Sequence, residues 1–89
     1  MSNDFDSAVL AVLVSLEPGE VVSYGEVAEQ AGFPGAARAV GSLLRATTVE
    51  VPWWRVVAAD GRLRAPDRAR QADLLRAEGV AVTGKRVSR

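Results

Sequence analysis

One stretch of this 89-residue chain decides the fold: SYGEVAEQAGFPGAARAVGSLLR, residues 23–45. Ser23 and Glu26 form an S-x-x-E capping box, which predicts a helix that begins there and runs to about residue 31. Gly32 ends that helix, and Pro34 begins another that runs to about residue 45. Two short helices joined by a glycine-containing turn predict a helix-turn-helix.

Helices are also predicted on both sides of this stretch. Asp4 can cap a first helix over about residues 5–16, whose apolar side chains recur on one face. A fourth helix is expected to begin at Asp67 and to run to about Glu78, with Gly79 beyond its end. The chain is therefore predicted to be mainly α-helical.

The β structure is predicted to be a small hairpin. Residues 51–57 are rich in β-branched and aromatic side chains, which is typical of a strand. Asp60-Gly61 is a strong turn signal, and residues 62–64 can return as the partner strand. A last short strand is expected at about residues 80–82. This order of elements predicts a winged helix-turn-helix in a single domain over residues 1–89.

Composition excludes several kinds of chemistry. With 48% hydrophobic and 25% charged residues, the chain has the composition of an ordinary globular protein. It contains no cysteine and no histidine. A thiol nucleophile, a disulfide, a Cys/His zinc site and a histidine general base are therefore excluded, and we expect neither a metal nor another cofactor.

We expect a cytoplasmic protein that makes no membrane contact. The longest apolar run, residues 8–14, is far shorter than the ~20 residues needed to span a bilayer. Asp4 and Asp6 stand where a signal peptide would carry positive charge.

Charge is strongly segregated along the chain, although the formal net charge is zero. Residues 1–35 contain six acidic side chains and no basic one, whereas residues 36–89 contain all eleven basic side chains and five acidic ones. Ten of the eleven bases are arginine, which suits contacts with phosphates and aromatic rings. This polarity indicates a basic face for an anionic partner such as nucleic acid; a mixed, solvated surface is the alternative.

The helix that ends near residue 45 allows two interpretations. Ala37 and Gly41 are one turn apart and leave a nearly bare ridge, and Arg38 is the only long side chain in the first half of the helix. Small residues let a helix pack tightly on its neighbour, and they also let a helix lie close to DNA. The pattern alone leaves both interpretations open.

Residues 52–57, PWWRVV, form a second cluster. In a strand, Trp53 and Trp54 would point to opposite faces, so that one can lie in the core while the other faces something else. Tryptophan side chains commonly pack in a core or against a protein partner. Two adjacent tryptophans beside Arg55 also fit a surface on which bases stack.

Four motifs occur in the order seen in O6-alkylguanine-DNA alkyltransferases: SYGEVA at 23–28, AARAVG at 36–41, PWWRVV at 52–57 and LLRAEG at 74–79. The chain resembles their C-terminal DNA-binding domain over about residues 5–82. That family carries Pro-Cys-His-Arg-Val, whose cysteine accepts the alkyl group, whereas here Trp53 occupies the cysteine position. Tryptophan at this position is typical of the alkyltransferase-like proteins, which are non-catalytic relatives.

This resemblance implies a DNA-binding role for the helix-turn-helix. Tyr24 matches the tyrosine that presses on the phosphate 3′ of the target and helps to rotate the nucleotide. Arg38 matches the arginine that enters the duplex from the minor groove and fills the gap left by the flipped base. Close approach or backbone contact is implied for Ala36, Ala37, Gly41 and Arg45.

The resemblance also implies a pocket for O6-alkylguanine, made of Trp53, Trp54, Arg55, Val56, Arg64 and Arg68. Trp53 and the backbone of Val56 would line it, and either Arg64 or Arg68 would approach the alkylated ring. Trp54 stands where the family has the histidine that links the cysteine to the glutamate matched by Glu78. Glu78 is therefore expected to be kept for structure, held by a salt bridge.

The implied function is binding of double-stranded DNA that contains O6-alkylguanine, without enzymatic activity. A monomer would flip the alkylated base into the pocket, leave it unrepaired and hand it to nucleotide excision repair proteins. A winged-helix regulator that reads undamaged DNA through the major groove is the first alternative. A protein-interaction module that docks a partner on the tryptophan pair is the second.

Overall fold

The computed structural model describes residues 4–88, and within them the fold is mainly helical, as predicted, with two small two-stranded sheets. The predicted domain, residues 1–89, extends beyond the described residues at both ends. The helices are α1 (Asp4–Val14), α2 (Tyr24–Gln30), α3 (Ala37–Ala46) and α4 (Arg68–Ala77), and a 3₁₀ helix spans Trp53–Arg55. The strands are β1 (Val22–Ser23), β2 (Val56–Val57), β3 (Val82–Thr83) and β4 (Arg86–Val87).

Helix α1 supplies one side of the main core. It begins at Asp4 itself and ends at Val14, slightly before the predicted end. Val9 and Leu13 lie one turn apart on this helix and are fully buried. They belong to the same core cluster as Val40 of α3, so α1 packs against the helix-turn-helix.

The predicted capping box is present at the start of α2. The Glu26 N–H donates to Oγ of Ser23 at 3.0 Å, and the Ser23 N–H donates to Oε1 of Glu26 at 2.7 Å. Helix α2 ends before Gly32, and α3 begins at Ala37 after a turn at residues 34–35. The helix-turn-helix therefore forms where the sequence predicts it.

The strand predicted over residues 51–57 is wrong in its first half. Trp53–Arg55 form a 3₁₀ helix, so the two tryptophans do not alternate across a strand. Only Val56–Val57 is extended, and it pairs in parallel with Val22–Ser23 from a distant part of the chain. A short helical turn follows Pro52 in place of the strand. It is closed by a hydrogen bond in which the Arg55 N–H donates to the Pro52 carbonyl at 3.1 Å.

The predicted hairpin of residues 51–57 with 62–64 is also wrong, although the turn at Gly61 forms. The segment after the turn pairs with β4 instead: the Val87 N–H donates to the Gly61 carbonyl at 2.9 Å. Gly61 has a φ of +91°, and a Cβ there would overlap the Val87 carbonyl oxygen, so this contact requires glycine. The hairpin of the fold is the antiparallel pair β3–β4.

Helix α4 closes a second core cluster against β4 and the segment that follows Gly61. Oδ1 of Asp67 caps it by accepting a hydrogen bond from the Arg70 N–H at 3.0 Å. Leu75 of α4 is fully buried in one cluster with Leu63 and Val87. None of the helices in residues 4–88 is long and apolar enough to cross a membrane.

Candidate functional site

A groove of about 520 Å³ runs along one face of α3. The side chains that line it include Tyr24 from α2, Ala37, Arg38, Gly41, Ser42 and Arg45 from α3, and Ala58, Ala59 and Arg64 from the segment after β2. The α3 members recur at the spacing of a single helix face. Three lining side chains are arginines and none of the described lining residues is acidic, so the groove is positively charged.

Arg38 stands in the first turn of α3, where a cation does not stabilise the helix. The N–H groups at a helix N-terminus carry partial positive charge, which disfavours a nearby cation by about 0.3–1 kcal/mol. No acidic residue lies in this turn, and the side chain of Ala36 provides no cap. No ion pair joins Arg38 to another residue of the described part of the chain. The start of α3 is therefore suited to an external anion.

Gly41 is buried at the base of the groove, beside the ring of Tyr24. A Cβ at this position would lie 3.8 Å from Cε1 of Tyr24 and 3.5 Å from Nη1 of Arg45. Both are ordinary van der Waals distances, so the packing of α3 on α2 does not require glycine here. The missing side chain instead leaves room in the groove, which favours the close-approach interpretation at this residue.

Tyr24 stands where the groove meets a second, smaller cavity. Burial raises the pKa of its phenol above the ordinary value of 10.0, and the charges of Arg45 and Arg64 act in the opposite direction. The hydroxyl is therefore protonated at neutral pH and can donate a hydrogen bond to an anion.

The second cavity has a volume of about 250 Å³. Its lining consists of Tyr24, Gly41, Leu44, Arg45, Trp53, Arg64, Ala65, Pro66 and Asp67. The space corresponds to roughly eight water molecules at ~30 Å³ each. The groove and the cavity share four lining residues, so a molecule that lies in the groove can place one of its groups beside Trp53.

The family resemblance implies that Trp54 and Arg55 belong to the pocket; in the structure neither lines the cavity, and both side chains bind Glu78. Nε1 of Trp54 donates to Oε2 of Glu78 at 2.8 Å, and Nη2 of Arg55 donates to the same oxygen at 2.6 Å. Arg55 is only 8% exposed, and its Nη1 donates to the Leu16 carbonyl at 2.8 Å. The expected salt bridge of Glu78 is present. Hydrogen bonds from Arg55, then from the Gly19 N–H and Trp54, lower the pKa of Glu78 to about 2 although burial acts against them.

Three other predicted site residues line neither the groove nor the cavity. Ala36 precedes α3 and packs against the main core. Val56 is fully buried in β2. Arg68 is exposed in a separate cluster of basic side chains. Of the predicted pocket residues, Trp53 and Arg64 line the cavity.

Part of the lining has little signal in the sequence. Ser42 lies one turn after Arg38, so helical spacing alone can identify it as a groove residue. Leu44 and Pro66 come from elements that are distant in sequence, and no local pattern indicates that they share a cavity. Within residues 4–88, no three acidic, histidine or cysteine side chains cluster as a metal site requires.

The sequence profile of the family described as 6-O-methylguanine DNA methyltransferase, DNA binding domain, matches residues 4–80. The chain belongs to this family. The match includes all four helices, the groove residues and Trp53. The resemblance predicted from the four motifs is therefore confirmed.

Similar proteins extend this assignment. The chain is 41% identical over 86 residues to a DNA base-flipping protein of Escherichia coli (strain K12), covering 92% of this chain and 67% of that protein. It is 39% identical over 79 residues to a DNA base-flipping protein of Vibrio parahaemolyticus, covering 84% and 79%. The crystal structure of S. pombe Atl1 in complex with damaged DNA containing O6-carboxymethylguanine matches with a TM-score of 0.82 and 33% identity, covering 93% of this chain and 83% of that one.

Membership of the methyltransferase DNA-binding family does not make this chain an alkyltransferase. The cysteine position of the family motif holds Trp53, and the 89 residues contain no cysteine. A thiolate is the nucleophile of such a reaction, and an indole cannot replace it as an alkyl acceptor. These 89 residues therefore lack the alkyl acceptor of the family's enzymes.

Proposed function

We propose that this protein binds double-stranded DNA containing O6-alkylguanine through the groove of α3 and rotates the alkylated base into the cavity beside Trp53. The base is held there without chemical change. The observation that carries the proposal is the continuity of the two spaces, because Tyr24, Gly41, Arg45 and Arg64 line both. One molecule can therefore hold a DNA strand and one of its bases at the same time.

The groove residues fit the work of extruding a base, which requires a few kcal/mol. Arg38 projects from the start of α3 and can fill the gap that the base leaves in the stack. Gly41 lets the helix approach the duplex closely, and the protonated hydroxyl of Tyr24 can donate to a phosphate. Aromatic stacking is worth roughly 1–3 kcal/mol per base, so a stacked base in the cavity offsets much of the extrusion energy.

The wall of the cavity is held in a fixed orientation. Trp53 packs edge-to-face on Trp54, with ring centroids 5.9 Å apart and the planes at 90°. Trp54 is in turn fixed by its hydrogen bond to Glu78. A preorganised aromatic wall loses little conformational entropy when a base stacks on it. A damaged base also requires less energy to extrude than an undamaged one, which favours alkylated over normal guanine.

The similar proteins support this class of ligand. The bacterial relatives are described as base-flipping proteins, and the S. pombe relative was crystallised with DNA containing O6-carboxymethylguanine. The proposal is tested by comparing the affinity for a duplex with one central O6-methylguanine and for the same duplex with guanine. We expect a preference of at least about tenfold, which is ~1.4 kcal/mol. Equal affinities would instead indicate a regulator that reads undamaged DNA.

Base insertion has its own optical test. The chain contains two tryptophans, so Trp53 is the sole tryptophan in a Trp54→Phe variant. We expect the fluorescence of Trp53 to be quenched by the O6-methylguanine duplex more strongly than by the guanine duplex. Unchanged fluorescence in a saturated complex would show that the base does not reach the cavity.

We also propose that the complex, formed by a monomer, marks the lesion for nucleotide excision repair proteins. A protein that has no alkyl acceptor leaves the damage in the DNA, so another activity must remove it. Addition of this protein is expected to increase the excision of an O6-methylguanine oligonucleotide by purified excision proteins. An unchanged or reduced rate would contradict this hand-off without affecting the proposed base binding.

A further inference from the structure

A cluster of basic side chains lies next to the cavity, where the turn at Gly61, the start of α4 and strand β4 come together. We call it the wing cluster, and its members are Arg62, Arg64, Arg68, Lys85 and Arg86. Leu63 also lines this surface, but it is only 2% exposed, so the surface offers no accessible apolar side chain from that residue. A protein partner would need such apolar area at the centre of its interface.

The wing cluster retains most of its positive charge. Oδ2 of Asp60 lies 3.5 Å from Nε of Arg62 and 3.7 Å from Nη2 of Arg86, and these are its ion pairs within the described residues. All three side chains are exposed, and exposed pairs of this kind contribute little. No ion pair within residues 4–88 involves Arg64, Arg68 or Lys85. Within the described residues, Asp60 is therefore the one acidic side chain that forms ion pairs with any of the five basic side chains of the wing cluster.

Arg64 connects the wing cluster to the groove and the cavity, because it lines all three. Arginines therefore follow one another across the surface from Arg38 and Arg45 in the groove, through Arg64, to Arg68. Because Arg64 is common to all three, a DNA strand that lies in the groove and places a base in the cavity can also contact the wing cluster.

We propose that the wing cluster is a second contact with the DNA backbone, which binds phosphates beyond those held in the groove of α3. This inference rests on the proposed DNA binding. Arginine suits the task because its planar guanidinium binds phosphate oxygens in a bidentate manner. Phosphate contacts are independent of sequence, so the wing cluster strengthens binding to damaged and undamaged duplexes by the same factor.

Helix α4 offers a matched pair of variants for the test. Arg68 and Arg70 are both exposed near the start of α4, but Arg68 lies in the wing cluster whereas Arg70 lines a different groove beside Trp54. Arg68→Gln and Arg70→Gln each remove one exposed charge from the same helix. The affinity of each variant is measured for the guanine and O6-methylguanine duplexes over a range of KCl concentrations.

For Arg68→Gln we expect roughly three- to tenfold weaker binding to both duplexes at low salt, from the loss of one hydrogen bond at an exposed site. The slope of log affinity against log salt should fall in magnitude by ~0.9, the value of one phosphate contact. The lesion preference should not change. Adding Arg62→Gln and Lys85→Gln should lower the slope further, while Arg70→Gln should keep the wild-type slope and affinity.

Equal slopes for wild type, Arg68→Gln and the triple variant would overturn the wing contact and leave an acidic protein as the partner of this surface. A reduced lesion preference with an unchanged slope would also overturn it, because Arg68 would then act at the alkylated base. If wild-type protein binds both duplexes equally, the proposed function fails while the slopes still decide the wing contact. If wild-type protein binds no DNA, both proposals fail.

Discussion

Nε1 of Trp54 donates a hydrogen bond to Oε2 of Glu78 at 2.8 Å, and Arg55 binds the same carboxylate from the adjacent position. In the alkyltransferases that this chain resembles, a histidine stands in the place of Trp54 and links the glutamate to the reactive cysteine. Here the same carboxylate accepts a hydrogen bond from an indole N–H, and an indole donates a hydrogen bond but does not accept one. The positions that hold the cysteine, histidine and glutamate series in the enzymes therefore fix the orientation of the cavity wall in this chain.

Glu78 should make the fold sensitive to acid. Its pKa is lowered from 4.5 to about 2 in the folded protein, chiefly by Arg55, so the folded state favours the ionised carboxylate. The resulting stabilisation is complete above pH 4.5 and is lost as the pH falls toward 2. Glu78→Gln should lower the free energy of unfolding by about 3 kcal/mol at neutral pH, because Arg55 loses its partner.

Urea denaturation of wild type and Glu78→Gln across this pH range measures the effect. The difference in unfolding free energy between them should shrink as the pH falls. Glu29→Gln is the control, since Glu29 is an exposed carboxylate on α2. A difference between wild type and Glu78→Gln that does not vary with pH would contradict the assigned ion pair.

Gly41→Ala should separate stability from DNA binding. A Cβ at Gly41 meets only ordinary contacts, and alanine is about 0.5–1 kcal/mol better than glycine inside a helix. We therefore expect the variant to be as stable as wild type or slightly more stable, and to bind DNA more weakly because the methyl group fills the base of the groove. Thermal unfolding and duplex affinity are measured on the same sample.

Gly61→Ala is the contrasting variant. Its Cβ would overlap the Val87 carbonyl oxygen, and its φ of +91° is strained for alanine, so we expect a loss of at least ~2 kcal/mol of stability. If Gly41→Ala were destabilised to a similar degree, tight packing of α3 on α2 would be the reason for its glycine. The close-approach interpretation would then be wrong.

Arg38→Ala should weaken binding to the O6-methylguanine duplex by roughly 5- to 150-fold, the equivalent of 1–3 kcal/mol of lost stacking. Tyr24→Phe keeps the ring beside Gly41 and removes only the hydroxyl, so a loss of about fivefold is expected. Arg70→Ala is the matched control because Arg70 is exposed outside the groove and the cavity. Wild-type affinity in folded Arg38→Ala protein would rule out insertion of this side chain into the stack.

Trp53→Cys alone should not restore alkyl transfer. Without a histidine partner the thiol would keep a pKa near ~8.5, and Trp54 cannot act as a base. In the double variant Trp53→Cys/Trp54→His, the histidine stands beside Glu78 and can activate the thiol, so some transfer should return. Single-turnover transfer from labelled DNA measures this, after far-UV circular dichroism has shown that the variants are folded.

Folding must be checked because truncating a large aromatic side chain can cost ~3–5 kcal/mol. Trp53→Ser gives a cavity of nearly the same size as Trp53→Cys but no thiol, and it should show no transfer in either background. Robust transfer by Trp53→Cys alone would show that the site does not need a histidine at position 54.

The helices of this protein are predictable because their signals are local. The capping box of Ser23 and Glu26 involves residues three positions apart, and it is visible without any knowledge of the fold. The pairing of β2 with β1 is not visible, because strands of two residues have no periodicity and their partner lies far away in the chain. The turn at Gly61 is correctly predicted, but its pairing with Val87 depends on a segment that follows α4.

The residues of the candidate site differ in the same way, because some have a local sequence signal and others depend on distant parts of the chain. The α3 residues share a helix face, so their spacing predicts the groove. Arg55 lies two residues after Trp53 in sequence, which suggests a common pocket, but the 3₁₀ helix directs its guanidinium to Glu78, 23 residues later. Arg68 does not line the cavity for a related reason. Neither its position in α4 nor its sequence neighbours indicate that it lies beside Lys85.

The contacts of Arg55 also imply an order in which parts of the chain can fold while it is being synthesised. Its partners are the Leu16 carbonyl, which leaves the ribosome earlier, and the Glu78 carboxylate, which leaves later. Until Glu78 has emerged, the guanidinium has no carboxylate partner, and burying it unpaired is strongly unfavourable. A nascent chain that already contains the whole helix-turn-helix therefore cannot lock Trp53 in place. We therefore expect the cavity that is proposed to accept a base to be complete only when the end of α4 has left the exit tunnel.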